Sequence, residues 1–491
     1  MTRKPNVILI TVDQMRGDCI GSLGHPDVKT PFLDTMINHG AVCTNAYSAT
    51  PTCIPARAAL FTGMSQRGHG RVGYKDCVEW QYENTLPQAF AEGGYHTQCV
   101  GKMHVWPPRK LMGFHNVVLH DGFLPHRNKN TPAGQWWDRV DDYLPYLQKE
   151  AGYPADLSDA GIDCNSWVAR PWPLPEHTHP TNWTVTQSLD FLRRRDPTKP
   201  FFMWTSFVAP HPPLLPPDCY FRQYLEKELA APVCGAWSET GEKLAFPDMD
   251  CFEGSPDEED LHRMKAGYFG LITQIDHQIG RLLRGLKDEG VLNQTVILFT
   301  SDHGEMLGDH HMFRKSQPFQ GSVHVPLLLY DPGSLLGIPH GTCTDEIAEL
   351  RDVMPTLLDI AGIDCPDCVE GRSLIPYFQG KKGLRPYLHG EHTEMTRQDY
   401  SAHYIVTKNR KYVWYSHTGK EMLFNLEADP NETVDLAEDK SYQADLNALR
   451  DHLIRELSGR EEGYTDGRRL LPGKKPVLIL GQNPSGSGAG C

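Results

Sequence analysis

Short runs of apolar residues recur along the chain and alternate with stretches of helical periodicity. Many residues in these runs are β-branched or aromatic, which is typical of strands buried on both faces of a largely parallel sheet. The runs are Val7–Val12, His96–Val100, Pro200–Val208, Val296–Thr300 and Val325–Tyr330. Since strands alternate with helices, the pattern predicts an α/β fold.

The longest helical pattern extends from Asp260 to Leu286, and Gly290 follows it as an expected end of the helix. Its apolar positions recur at spacings of three and four residues, which places them on one face. They are Leu261, Met264, Tyr268, Leu271, Ile272, Ile275, Ile279, Leu282 and Leu286.

Residues 106–183 break the alternation, because this stretch is dense in Pro, Trp, His and Asp and shows little periodicity. Long loops on a rigid α/β frame often carry binding residues, so we interpret it as an irregular insertion on the substrate side. Trp136, Trp137 and Trp172 either stack on a ring of the substrate or pack the insertion itself.

A chain of 491 residues exceeds one ordinary core, so two domains are expected. The first, residues 1–375, is predicted to be catalytic. Residues 376–491 are predicted to form a smaller α+β domain with an antiparallel sheet. The elements expected in it are strands at Tyr404–Lys408, Lys411–Ser416 and Glu421–Asn425 and a helix at Asp445–Leu457.

Charge and composition narrow the class of protein. The net charge of −14 argues against nucleic acid as a partner, because phosphate contacts need clustered basic residues.

No apolar run reaches the ~18 residues that a membrane helix requires. The apolar start of the chain is interpreted as a first strand, so we expect a cytoplasmic protein if the sequence is full length. A trimmed leader would instead make it secreted or periplasmic. Thirteen cysteines, an odd number, favour a reducing compartment.

Polar side chains follow two of the predicted strands. The first strand ends at Asp13 and Gln14, and Asp302 and His303 follow the strand at 296–300. Ligands of open α/β sheets collect at such strand ends, so these side chains are candidates for a cation site. Ca²⁺ suits oxygen-rich ligands, and Mg²⁺ is the alternative. Taken alone, an Asp at a strand end is more often a helix cap.

The segment from Cys53 to Gly63 has the features of a short helix with a polar start. Pro55 suits the first turn and Gly63 the end. Cys53 would then lie at the helix N-terminus, where the dipole favours negative charge, and Arg57 one turn later on the same face. A single Cys before a helix is more commonly a buried packing residue.

Cys53-Ile-Pro-Ala-Arg57, followed by Leu60-Phe-Thr-Gly63, resembles the signature of the type I sulfatases of the alkaline phosphatase superfamily. Further resemblances occur in the family's order along the chain. They are Asp13-Gln14, Gly101-Lys-Met-His104, Ala209-Pro-His211, Asp302-His303, Lys315 and the segment Met422–Thr433. Gln14 stands where many members carry Asp, and His303 where some carry Asn, and both substitutions keep a possible metal-binding atom.

The resemblance implies an alkaline-phosphatase-like fold and one divalent cation bound by Asp13, Gln14, Asp302, His303 and the modified Cys53. A maturation enzyme would convert Cys53 to formylglycine. The hydrated aldehyde then attacks sulfur, the alcohol leaves, and inorganic sulfate is expelled as the aldehyde re-forms.

Roles for the remaining residues are also implied by the resemblance. Lys102 and Lys315 would hold sulfate oxygens, and Arg57 would hold the hydrated aldehyde. His211 is the candidate general acid for the leaving alcohol and His104 the candidate base, although the two roles are interchangeable at this stage.

Two alternatives remain open. A phosphonate monoester or phosphodiester hydrolase of the same superfamily shares the oxidised Cys, but the pair Lys102 and His104 favours a sulfatase. A sulfatase-like protein that only binds sulfated ligands would keep Cys53 as a thiol.

The expected substrate is a small sulfate ester of a sugar, a phenol, a steroid or choline. The expected partner is the maturation enzyme. The apolar run Pro476–Leu480, within the tail segment Glu461–Leu480, suggests a homo-oligomer in which this tail packs on a neighbour.

Overall fold

A mixed, largely parallel sheet of eight strands forms the centre of the protein. The computed structural model describes residues 4–123, 139–238 and 249–481. The strand order is β5-β4-β6-β1-β7-β8-β2-β9, and β3 and β10 form a separate parallel pair. The strands are β1 (Asn6–Asp13), β2 (Gly40–Cys43), β3 (Ala46–Tyr47), β4 (His96–Gly101), β5 (Asn116–Leu119), β6 (Phe201–Pro210), β7 (Thr295–Ser301), β8 (Leu327–Tyr330), β9 (Thr342–Thr344) and β10 (Ala348–Glu349).

The five predicted strands are all present, and the α/β prediction is confirmed. Strand β1 lies in the middle of the sheet and pairs in parallel with β6 and β7. Strand β8 differs, because it runs antiparallel to both β7 and β2. An apolar run alone predicts a buried strand but not its direction.

Helices cover both faces of the sheet. Alternate residues of β1 point to opposite sides, so Val7 and Leu9 join one apolar cluster while Ile8 and Ile10 join the other. The helices are α1 (Pro31–Asn38), α2 (Cys53–Thr62), α3 (Gln66–His69), α4 (Leu86–Glu92), α5 (Tyr143–Ala151), α6 (Pro180–Arg194), α7 (Asp218–Leu225), α8 (Glu258–Asp288), α9 (Gln320–Val323), α10 (Val353–Ala361), α11 (Ile375–Phe378) and α12 (Gln443–Glu456).

Helix α8 confirms the long helical pattern and extends it by two residues at each end. The Asp257 side chain caps its start by accepting a hydrogen bond from the Asp260 amide at 2.8 Å. Gly290, just beyond the end, has a left-handed backbone with φ of 69°. In this part of the chain, local pattern and tertiary packing favour the same structure.

The stretch at 106–183 is more regular than its sequence suggests, since it contains α5 and the start of α6. Trp172 is buried against Tyr143 and Trp183, and its ring nitrogen donates to Thr178 Oγ1 at 3.2 Å. Trp172 therefore packs the insertion, whereas Trp136 and Trp137 lie outside the described residues.

A four-stranded antiparallel sheet follows in the C-terminal part, with β11 (Leu388–His392), β12 (Ala402–Val406), β13 (Arg410–Tyr415) and β14 (Glu421–Asn425). The last three strands and α12 were predicted, but β11 was not. One face of this sheet packs against Leu446, Leu449 and Leu453 of α12. The other face packs against residues of the first part of the chain, Met306 and Phe319 among them. The boundary at 375/376 stays a prediction.

The apolar run Pro476–Leu480 packs against its own chain. The Leu478 carbonyl accepts a hydrogen bond from the Val72 amide at 3.0 Å, and the Leu480 amide donates to the Gly70 carbonyl at 2.7 Å. The run thus has a partner within one protomer, and the homo-oligomer stays a prediction. None of the helices in the described ranges is long and apolar enough to cross a membrane.

A buried ion pair lies where the two parts of the chain meet. Lys411 of β13 is 2.6 Å from Glu432 and donates to Gln320 of α9, in the first part, at 3.1 Å. The substitution Lys411→Met leaves the Glu432 carboxylate buried without its cation. Such a loss costs about 3–5 kcal/mol, so the midpoint of thermal unfolding should fall by several degrees. Lys420→Met, on the exposed surface of the same region, is the control and should change little. Equal midpoints for both variants would contradict the prediction.

Candidate active site

Two neighbouring strands bring the predicted metal ligands together. Strands β1 and β7 are parallel, and Val12 pairs with Ser301, so Asp13 and Asp302 emerge at the same edge of the sheet. One ligand atom each from Asp13, Cys53, Asp302 and His303 lies within 4.8 Å of the others, and all four residues are buried. This group could hold a metal ion.

Helix α2 places Cys53 next to the other three residues of this group. Cys53 is its first residue, Pro55 lies in its first turn, and Gly63 ends it with φ of 64°, as predicted. The Cys53 sulfur lies 3.3 Å from His303 Nε2 and 3.7 Å from Asp13 Oδ1. Burial and Asp13 tend to raise the pKa of the thiol, but Lys102, Lys315 and His303 hold it below its ordinary value.

The His303 ring is oriented for metal binding. Its Nδ1 lies 3.0 Å from the Gly304 carbonyl oxygen, to which it can donate its proton. Nε2 then carries a lone pair, 3.5 Å from Asp13 Oδ1. A backbone carbonyl that fixes the tautomer is a common arrangement for histidine ligands.

Arg57 contacts both of the buried carboxylates. Its Nε lies 3.1 Å from Asp302 Oδ2 and its Nη2 lies 3.6 Å from Asp13 Oδ2, with the guanidinium fully buried. Nη1 donates to the Lys102 carbonyl at 2.8 Å and to Ser206 at 3.1 Å. In the cysteine form of the protein, Arg57 therefore positions the carboxylate ligands. The motif spacing did not indicate these partners.

Gln14 is held in an unusual conformation at the edge of the same group. Its φ of 71° is uncommon for a residue other than glycine. The side-chain oxygen accepts from Lys315 Nζ at 2.8 Å, and the side-chain nitrogen donates to Glu305. An amide oxygen has a second lone pair, so Gln14 remains able to bind a cation. Glu305, which sequence reasoning missed, follows three residues after Asp302.

The two predicted lysines have different partners. Lys102 Nζ is 2.6 Å from Asp13 Oδ2 and 4.0 Å from the Cys53 sulfur. Lys315 Nζ is 3.3 Å from Asn165 Oδ1 and 2.5 Å from His211 Nε2. Asn165 comes from the insertion, and no motif pointed to it.

The two predicted histidines differ in their partners. His211 Nδ1 lies 2.7 Å from the Pro212 carbonyl oxygen, so Nε2 is free to accept the Lys315 proton. Among the residues that the structure describes, neither ring nitrogen of His104 has a hydrogen-bond partner. Burial, followed by the nearby lysines, lowers the pKa of both rings well below the usual range. Both are therefore neutral in the resting protein.

One cavity of about 400 Å³ lies at this site. Cys53, Lys102, His104, His211 and Lys315 line it. The rest of the wall combines apolar residues, among them Tyr74, Phe123, Phe252, Met395 and Leu478, with polar and charged ones, among them Asp121, Asn165, Arg314 and Glu394. Five of the predicted catalytic residues thus share one cavity, although they come from widely separated parts of the chain, and Arg57 does not line it.

Fold and site together define a hydrolase of the alkaline-phosphatase-like superfamily. The family model described as Sulfatase matches residues 5–363, and the model described as N-sulphoglucosamine sulphohydrolase, C-terminal matches residues 308–458. The chain belongs to the sulfatase family and is a sulfuric ester hydrolase.

Known proteins agree with this assignment. An arylsulfatase of Clostridium perfringens is 52% identical over 97% of this chain and 99% of its own length. The multifunctional alkaline phosphatase superfamily protein PehA of Trinickia caryophylli is 30% identical over 94% of this chain and 96% of its own. The crystal structure of the phosphonate monoester hydrolase of Agrobacterium radiobacter superimposes with a TM-score of 0.76 at 26% identity, covering 92% and 95% of the two chains.

The geometry of the carboxylates predicts how metal binding responds to mutation. Asp302→Asn removes one negative charge from the cluster and should strongly reduce the content of divalent cation in the purified protein, measured by elemental analysis. Asp18→Asn is the control, because Asp18 is half-exposed and pairs with Arg16 outside the cluster. Equal metal content in both variants would argue against a cation at this position.

Proposed function

We propose that the protein hydrolyses aryl sulfates with a formylglycine made from Cys53 and one divalent cation, Ca²⁺ ahead of Mg²⁺. The cation would be held by Asp13, Gln14, Asp302 and His303 together with residue 53. The observation that carries the proposal is one cavity in which two buried ammonium groups and two neutral imidazoles face the side chain of Cys53.

Local charge supports an anionic substrate in an otherwise acidic protein. Two carboxylates, Asp13 and Asp302, contact the cations Arg57 and Lys102, while Lys315 contacts the neighbouring Gln14. A divalent metal would add to the positive side. Because these groups are buried, their field is weakly screened by solvent. The cavity is therefore suited to a sulfate group.

When bound, the metal supplies Lewis acidity toward a sulfate oxygen and toward the hydrated form of residue 53. The chain supplies the positions of the reacting groups. Arg57 keeps the Asp13 and Asp302 carboxylates in place, while Lys102 and Lys315 hold sulfate oxygens as charge shifts among them.

Proton transfer is proposed to use the two histidines. A leaving alkoxide needs a proton, and His211 Nε2 shares a proton with Lys315 at the cavity surface. We therefore assign His211 as the acid and Lys315 as the source of its proton. No group in the described ranges of the chain bonds to the His104 ring nitrogens, so we assign His104 as the base that accepts a proton.

The alcohol part of the substrate is proposed to be aromatic. The cavity is also lined by Tyr74, Phe123, Phe252 and Met395, which suit a flat ring. The Clostridium perfringens relative is an arylsulfatase and agrees with this proposal. Sugar, steroid and choline sulfates remain substrates to be compared with it.

The proposed partner in maturation is an enzyme that oxidises the Cys in Cys53-Ile-Pro-Ala-Arg57. Cys53 is only 2% exposed in the folded chain. The modification therefore has to precede the completion of folding. A homo-oligomer is proposed as well, since the residues Val477–Leu480 remain only partly buried within one protomer.

The first test compares an aryl sulfate with the matching aryl phosphonate monoester, using protein co-expressed with the maturation enzyme. We expect preferential release from the sulfate, abolished by Cys53→Ala. The structural likeness to a phosphonate monoester hydrolase makes the phosphonate the relevant competitor.

Preference for the phosphonate would assign the chain to the rival hydrolase class. Hydrolysis of neither, together with a thiol mass for the peptide that contains Cys53, would indicate a protein that only binds sulfated ligands. An aldehyde mass for that peptide with aryl sulfate turnover is the expected result.

A second test addresses the charge that faces the sulfate. Lys102→Ala removes one ammonium from the cavity, and loss of one such donor lowers kcat by about 10²–10³-fold. Lys110→Ala is the matched control, because Lys110 pairs with Glu79 at the surface. Metal content is measured in parallel, since Lys102 also contacts Asp13. A kcat equal to that of the control would exclude Lys102 from the reaction.

A further inference from the structure

The segment Pro476–Gly481, here called the strap, lies along the rim of the active-site cavity. It pairs antiparallel with residues 70–72 through the two backbone hydrogen bonds of Leu478 and Leu480. Its end is fixed by the Gly481 amide, which donates to Glu461 Oε1 at 2.8 Å. The strap therefore has a defined position on its own chain.

Residues 70–74 lie between the strap and a second segment of the rim. Gly73 forms a parallel bridge with Thr393, whose amide donates to the Val72 carbonyl at 2.9 Å. Each of the three segments contributes to the cavity wall. The contributing residues are Tyr74 from the middle segment, Glu394, Met395 and Thr396 from the second, and Leu478 from the strap.

Because Gly73 has no side chain, the strap and Thr393 can both lie close to its backbone. A Cβ at this position would lie 2.5 Å from Leu478 Cδ2 and 2.5 Å from the Thr393 carbonyl oxygen. The Leu478 side chain therefore lies directly over the Gly73 backbone and is held there on one side. Its other side faces the cavity.

We propose that Leu478 is a specificity-determining residue that limits the size of the leaving alcohol. This inference rests on the proposed function, because it presumes that Lys102 and Lys315 hold the sulfate end. The alcohol then occupies the rest of the cavity, whose lining includes Leu478 and Tyr74. A single aromatic ring is favoured over fused rings, since Leu478 occupies the space that a second ring needs.

The test measures kcat/KM for a naphthyl sulfate relative to a nitrophenyl sulfate in the mature protein. Leu478→Ala opens the wall and should raise this ratio, relative to the unmutated protein, by about ten-fold, and Leu478→Trp should lower it. Intrinsic differences between the two leaving groups cancel in the comparison between variants.

Ile479→Ala is the matched control. Ile479 belongs to the same strap, but adjacent residues of an extended strand point to opposite sides, and Ile479 does not line the cavity. Its ratio should equal that of the unmutated protein. A loss of folding would appear in the thermal unfolding of any of the three variants.

A second readout does not depend on turnover. Naphthalenesulfonate and benzenesulfonate have no ester bond to hydrolyse, and their binding constants are measured by calorimetry on the same variants. Leu478→Ala should raise the preference for the two-ring ligand, and Leu478→Trp should lower it.

The outcomes separate the two proposals. Altered sulfonate preference without hydrolysis supports the role of Leu478 and overturns the proposed function. Hydrolysis with both ratios unchanged in the Ala and Trp variants overturns the role of Leu478 and leaves the function intact. Failure of the unmutated protein both to hydrolyse the sulfates and to bind the sulfonates overturns both.

Discussion

The site depends on the contact of one buried guanidinium, Arg57, with two buried carboxylates. Asp13 and Asp302 emerge from parallel neighbouring strands, so the sheet itself forces them together. Burial and the proximity of Asp13 raise the pKa of Asp302. For Asp13, burial acts in the same direction, but Lys102 and other cations hold its pKa well below the usual range. Since Arg57 belongs to the helix that begins at Cys53, the charge that compensates the carboxylates also fixes the position of Cys53.

Two side chains of the site belong to residues with a left-handed backbone, which is uncommon for residues other than glycine. Gln14 and His104 have φ of 71° and 55°. Hydrogen bonds around each residue maintain this geometry. Tyr268 donates to the Gln14 carbonyl at 2.6 Å, and Asp121 accepts from the His104 amide at 3.0 Å. Strain of this kind persists where the surroundings over-determine the backbone, and it turns polar groups toward the reacting atoms.

The sequence predicted the five core strands, the helix at Cys53 and the convergence of its motifs, because each depends on local periodicity or on strand ends. The features that the sequence did not predict also have physical reasons. The antiparallel direction of β8 follows from long-range pairing. Strand β11 has the sequence Leu-His-Gly-Glu-His and lacks apolar alternation, and Glu391 within it is buried by ion pairing with Arg460. Asn165 reaches Lys315 from an aperiodic insertion, so neither pattern nor motif could indicate it.

The two ends of the cavity have different structural origins. The proposed sulfate end is built from residues at the ends of central strands and from α2, where a shift would disturb the whole sheet. The wall proposed to contact the alcohol includes residues from 70–74, 393–396 and the strap, which are joined by a few backbone hydrogen bonds. Surface segments tolerate substitution far better than core strands. Substitutions in the wall can therefore change its shape while the buried charged groups of the site keep their positions.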